Sequence, residues 1–124
     1  MKKKSQLTKA ETQVMQCLWQ LPKMTGTSAD IMALMPDPKP APTTLLTFLK
    51  ILTEKGFVRT VRQGKSNRFT ALTSRDEYAG DVVKDVKDSF FGGSFASLVS
   101  FFAKREKLSE AEIDELVSLI KNNE

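Results

Sequence analysis

The chain has no histidine and only one cysteine among its 124 residues. Without histidine it lacks the commonest general base near neutral pH and the commonest zinc ligand. A lone cysteine excludes a disulfide framework and an all-cysteine metal site within one chain. Long apolar runs are missing too. The longest uncharged stretch, residues 89–103, carries Gly92-Gly93 inside and falls short of the ~20 residues a spanning helix needs. Met1-Lys2-Lys3-Lys4 is basic, but no apolar segment follows it as it would in a signal peptide. Nor is there a glycine-rich phosphate loop, a catalytic dyad or a metal-ligand set. These absences lead us to expect a cytoplasmic protein that is not an enzyme, needs no cofactor or metal, and is not inserted in a membrane.

What is present suits a soluble globular protein: 40% of residues are hydrophobic and 27% are charged. The net charge of +4 hides an uneven distribution. Residues 1–75 hold 13 Lys/Arg against 4 Asp/Glu, giving +9, and residues 76–124 hold 6 against 11, giving −5. The sign changes where the character of the sequence changes. Two regions with different partners are expected, one of those partners being an anion.

In the first region, Thr8 and Glu11 form a T-x-x-E capping box, with Leu7 just outside as a hydrophobic staple. Ala10, Val14, Cys17, Leu18 and Leu21 recur at helical spacing, and Met15 and Trp19 widen the apolar face. Pro22 ends this helix. Cys17 lies within the face and reads as a buried structural thiol. Thr25-Gly26-Thr27-Ser28 reads as a turn leading into a short helix, Ala29 to Met35, whose apolar members are Ile31, Leu34 and Met32. The prolines at 36, 38, 40 and 42 cannot continue it.

Residues 42–72 carry the main signal. Pro42 suits the first turn of a third helix, where a missing N–H costs nothing. Leu45, Phe48, Leu49 and Leu52 form its core stripe, and Lys55-Gly56 closes it. Thr43, Thr44, Thr47, Lys50 and Glu54 occupy the other side. Small hydroxyls in a first turn allow close approach to phosphates and base edges, although the helix alone fits a solvated face equally well. The following hairpin decides between them. Phe57–Arg62 and Asn67–Leu72 read as strands around Gln63-Gly64-Lys65-Ser66. Arg59, Arg62, Lys65 and Arg68 are uninterrupted by any acid, as a surface for duplex DNA would be.

Beyond Thr73 come three further helices. Ser74 to Glu77 is a second capping box, opening a helix to about Phe91 with Tyr78, Val82, Val83, Val86 and Phe90 on one face. After Gly92-Gly93, Ser94 to Phe102 is a short helix containing Phe95 and Leu98. Ser109 to Glu112 is a third box, opening a helix with Ile113, Leu116, Val117 and Ile120 at core spacing. Three short helices are a poor container for Phe90, Phe91, Phe95, Phe101 and Phe102. A second copy of the chain is the expected place to bury them. The fold class is therefore mostly α with a small β-hairpin. Residues 1–73 form a winged helix-turn-helix, and residues 74–124 a C-terminal helical dimerisation arm.

At this point the chain resembles the penicillinase-repressor family of bacterial transcription regulators, the BlaI/MecI group with its copper-responsive relatives. Leu7 to Glu11, Val14-Met15 and Leu18-Trp19 are similar to the family's first helix. Pro42, Thr44, Thr47, Leu49, Leu52 and Lys55-Gly56 are similar to its recognition helix, and Gly64-Lys65 to its wing tip. Phe90 to Ser94, Leu98-Val99 and Leu108 to Leu116 are similar to its dimerisation arm. The resemblance implies a homodimeric repressor on a pseudo-palindromic operator. For the β-lactam branch it also implies a membrane-bound sensor metalloprotease as partner, with cleavage inside the arm at the position of Phe101-Phe102. Members cut in this way typically carry Asn-Phe there. The copper branch relies on a C-terminal cysteine cluster, whereas this chain ends Ile120 to Glu124 without one. Ile51 stands where many members have a basic residue, so the operator sequence does not carry over.

A rival from another class is a winged helix used only for protein interaction, without specific DNA binding. Such modules often lose the basic wing, and this chain keeps it.

Overall fold

The computed structural model describes residues 6–122. By its contacts the chain divides into two compact units, Met1–Gly80 and Asp81–Glu124.

The first unit begins with α1 (Lys9–Gln20), whose N-terminus is closed by the expected box. The Glu11 N–H donates to Thr8 Oγ1 at 3.2 Å, and the Thr8 N–H donates to Glu11 Oε1 at 2.9 Å. A 3-10 turn, Pro22–Met24, leads to β1 (Thr25–Gly26), and α2 (Ser28–Leu34) follows. Helix α3 (Pro42–Glu54) then runs into the antiparallel strands β2 (Val58–Gln63) and β3 (Ser66–Ala71). The sheet order is β1-β3-β2.

Burial follows the helical periodicity. Val14, Met15 and Leu18 of α1, Ile31 of α2 and Leu45, Leu49 and Leu52 of α3 are buried, joined by Phe57, Val58 and Phe69. Each such side chain contributes roughly 1.5–3 kcal/mol by leaving water. Cys17 is buried beside Met35, with its Sγ 3.5 Å from the Met35 Sδ. Burial pushes its thiol pKa up, which keeps it protonated and unreactive. Across the core, Lys55 Nζ lies 2.8 Å from Glu11 Oε1 and ties the end of α3 to the start of α1. Burial alone would raise the Glu11 carboxyl. Hydrogen bonds from Lys55 and Thr8, with the lysine's charge, outweigh it and hold the group below the ordinary glutamate range.

The passage from α3 to β2 explains why Lys55-Gly56 is needed. Gly56 takes φ 88, a left-handed conformation open to glycine. Its N–H donates to Thr53 O at 3.1 Å, and the Phe57 N–H donates to Leu52 O at 2.9 Å. This paired closure ends the helix and launches the strand within two residues.

Three details differ from the sequence reading. Thr25-Gly26, expected as a turn, is a strand paired with Thr70 and Phe69. Two residues are too few for alternation to reveal. The close packing at Gly26 is equally invisible in sequence: an added Cβ would stand 2.7 Å from Leu21 Cδ1. Leu34, read as an apolar member of the second helix, is 41% exposed, while Met35 is buried. Met35 leaves the helix with an extended backbone, and Lys39 Nζ donates to the Met32 and Met35 carbonyls at 2.8 and 2.7 Å. Tyr78, grouped above with the arm, packs instead in the first unit. Its hydroxyl accepts from the Leu7 N–H at 2.8 Å, and its ring lies 5.6 Å from Phe57 and 6.2 Å from Trp19.

Helix α4 (Arg75–Phe90) crosses the division between the units. The second unit continues with α5 (Phe95–Arg105) and α6 (Glu110–Asn122). Gly92 and Gly93, at φ 58 and 81, separate α4 from α5. Helix α5 runs past Phe102, where the sequence reading stopped it, because Ala103 to Arg105 contain no breaker. No described helix is long and apolar enough to cross a membrane.

Candidate nucleic-acid interface

With Leu45, Leu49 and Leu52 committed to the core, the 3.6-residue turn sends Thr43, Thr47 and Lys50 outward. All three are exposed, as is Thr44 on the flank. The Thr47 hydroxyl donates to Thr43 O at 3.0 Å, which leaves its oxygen lone pairs able to accept a further hydrogen bond. Among the described residues, α1, α2, α4, α5 and α6 each begin with a Ser or Thr side chain accepting a backbone N–H. Helix α3 begins at Ala41-Pro42 without a side-chain cap, and no acid stands in its first turn. The positive end of its dipole is therefore not offset by a side-chain cap or an acid.

The hairpin is fixed against this helix. Thr53 Oγ1 donates to Leu49 O at 2.7 Å and lies 2.8 Å from Thr60 Oγ1 on β2. Gly64 has φ 63, which permits the tight turn between Gln63 and Ser66. From that turn the register pairs Arg62 with Asn67, Val61 with Arg68, Thr60 with Phe69 and Arg59 with Thr70. Strand alternation then separates the four wing cations. Arg62 shares a face with Thr60 and Asn67, the face turned toward α3. Arg59 and Arg68 share the opposite face, and Lys65 is at the tip. The Arg62 Nε donates to Gly64 O at 3.0 Å, which uses one of the five N–H donors of its guanidinium. Arg68 is half-buried, and its charge reaches Asp30 at the start of α2. That carboxyl is held below its ordinary range first by the Thr27 N–H and side chain, and less by Arg68. The four cations are thus close in sequence but do not form one surface.

Sequence reasoning passed over Leu46, Asn67 and the Thr53–Thr60 link. Leu46, Lys50, Thr53 and Glu54 of α3 line one groove with Thr60, Asn67 and Phe69 of the hairpin. The register signal was available: residues 59 and 62 differ by an odd number, so they cannot share a face.

The candidate dimerisation residues lie in the second unit. Val82, Val86, Phe91 and Leu98 are half-buried. Phe90 is 78% exposed, and Phe95, Phe102, Ile113, Leu116, Val117 and Ile120 are exposed as well. The Phe91 and Phe101 rings pack at a tilt of 54° with centroids 5.2 Å apart, and Lys87 Nζ sits 4.5 Å from the centre of the Phe95 ring. None of the described residues beyond Thr73 is buried. Phe101 and Phe102 are both helical and exposed.

Three helices, a three-stranded sheet and a wing following the third helix define a winged helix-turn-helix, in the class of DNA-binding transcription regulators rather than enzymes. The model of the penicillinase repressor family matches residues 7–122. The chain belongs to that family. It is similar to the methicillin resistance regulatory protein MecI of Staphylococcus aureus (strain N315), with 26% identity over 115 residues and 93% of each chain covered. It is similar also to the penicillinase repressor of Bacillus licheniformis, with 27% identity over 123 residues, 99% of this chain and 95% of the relative.

Proposed function

We propose that the protein is a homodimeric transcriptional repressor that occludes a promoter by binding a pseudo-palindromic operator. The observation that carries this reading is the Thr53–Thr60 link, which ties the last turn of α3, the helix bearing Thr43, Thr47 and Lys50 on its outer side, to strand β2 of the wing. Thr43, Thr44, Thr47 and Lys50 enter the major groove. Arg62 and Lys65 hold the flanking backbone, with Arg59 and Arg68 contributing from the far side of the wing. The exposed apolar arm pairs with that of a second copy. Each winged helix is a weak half-site binder, and joining two makes the second contact intramolecular. A two-fold dimer reads half-sites one or more helical turns apart.

Release follows from the same arrangement. Proteases bind extended backbone, so cleavage at Phe101-Phe102 requires α5 to open locally, which thin packing makes inexpensive. Cutting there separates the two half-site binders and leaves α3 untouched. We place the protein in the cytoplasm, with a membrane-bound sensor metalloprotease as the source of the cut. The two relatives are named for methicillin resistance and penicillinase control, so antibiotic exposure is the condition to test. Mass spectrometry of the chain before and after exposure reads it directly: a new terminus within residues 98–103 supports the switch, and an intact chain during derepression rejects it.

The primary test is fluorescence anisotropy of the purified protein on its own upstream DNA across a salt series, with a scrambled duplex as control. Neutralising about six to ten phosphates in the dimer lowers affinity by roughly 10³–10⁵ between about 50 and 200 mM salt. Steep salt dependence with preference for the upstream duplex is expected. No binding at low salt would favour a protein-interaction module.

A further inference from the structure

Leu46 has no task in the fold. Leu45 and Leu46 project about 100° apart on an α-helix, so placing Leu45 in the core puts Leu46 outside it. It is 45% exposed, whereas Leu45 is 1% exposed. Around it the surface is hydrophilic. Thr43 lies three residues before, Thr47 beside it and Lys50 four residues after, and the groove it lines is completed by Thr53, Glu54, Thr60, Asn67 and the largely buried ring of Phe69. Leu46 and the largely buried ring of Phe69 are the apolar side chains there, far below the area a protein partner needs. Leu46 sits on the edge of α3 that faces the groove beside the wing. In the major groove one base displays an apolar group, the C5-methyl of thymine.

We propose that Leu46 is a specificity-determining residue that packs against the C5-methyl of a thymine in each half-site. The inference rests on the DNA reading proposed above and adds to it the base selected at this position. The neighbours fit the role: Lys50 and Asn67 flank the leucine with hydrogen-bond donors, leaving a dry contact between polar ones.

The test removes the methyl and nothing else. A preferred duplex is selected from a randomised pool with the full-length protein. Each thymine is then replaced in turn, in both half-sites together, by deoxyuridine, and binding is measured by anisotropy. One symmetric replacement is expected to weaken the wild-type protein about fourfold per half-site, or about fifteenfold in total, the effect of losing one buried methyl at each contact. Leu46→Ala binds the intact duplex more weakly and is indifferent to that replacement. Leu46→Met, still apolar, keeps the response. Because Leu46 is exposed, the melting temperature of each variant should match wild type.

A wild-type protein that selects a duplex yet responds to no deoxyuridine replacement overturns the inference and leaves the repressor reading standing. So does a Leu46→Ala variant with the wild-type pattern of responses. A pool that yields no enriched duplex overturns the repressor reading itself, and this inference with it.

Discussion

The two units solve the hydrophobic problem differently. In the first, three helices and a small sheet enclose Phe57, Leu49, Met15 and their neighbours at or near zero exposure. In the second, helices of similar length also carry apolar faces, yet none of their described residues is buried. The first unit has a core of its own. The second has no buried residue among those described, as expected if, as proposed, it meets a second copy of the chain. Stability of the first unit should therefore be a property of the single chain, and that of the second a property of concentration.

The largest effect expected from breaking this contrast comes from removing the arm. Truncation before Ser89 should leave a folded monomer whose operator affinity falls by about 10²–10⁴, the gain that linking two binders supplies. Analytical ultracentrifugation and anisotropy on the same sample would check both halves of that statement; dimers or undiminished affinity would refute it. Next come paired core substitutions. Leu49→Ala should cost about 2–5 kcal/mol and lower the melting temperature of the first unit equally at all protein concentrations. Leu116→Ala should leave that transition alone and instead weaken the dimer, so that its melting shift depends on concentration.

Glu11 gives a smaller effect with a pH signature. Its folded pKa is lowered, so its stabilisation is present above the ordinary glutamate range and is lost as pH falls through the lowered value. Glu11→Gln should cost about 1–2 kcal/mol at neutral pH, through the Lys55 and Thr8 hydrogen bonds, and flatten the acid limb of urea stability. Equal losses at pH 7 and below the lowered value would contradict the account. Smallest are the wing cations. Arg62→Gln and Lys65→Gln should each reduce the salt slope of operator binding by about two, one for each half-site of the dimer. Arg59→Gln and Arg68→Gln, on the other face of the hairpin, should change it less; four equal reductions would mean that the strand faces do not sort the cations.

Much of the local architecture was legible because it is written in local chemistry. Thr8, Ser74 and Ser109 each announce a helix with an acid three residues later, and each box forms. Pro42 and Gly56 bracket α3 as their backbone preferences require. What escaped depends on partners distant in sequence. Thr25-Gly26 becomes a strand because β3, more than forty residues later, offers it an edge. Tyr78 belongs to the first unit because Leu7, Trp19 and Phe57 surround it, and its spacing with Val82 and Val86 cannot reveal that. The candidate site divides the same way. The outward residues of α3 follow from helical period alone, whereas the exclusion of Arg59 and Arg68 from the groove beside α3 needed the hairpin register.

Cys17 makes these differences measurable without labelling chemistry being engineered in. It is the only thiol in the chain, and it sits inside the first unit beside Met35 with its pKa raised by burial. A thiol-reactive dye can reach it only when that core opens. Its rate of modification is a built-in clock for the winged helix, silent to whatever happens in the arm.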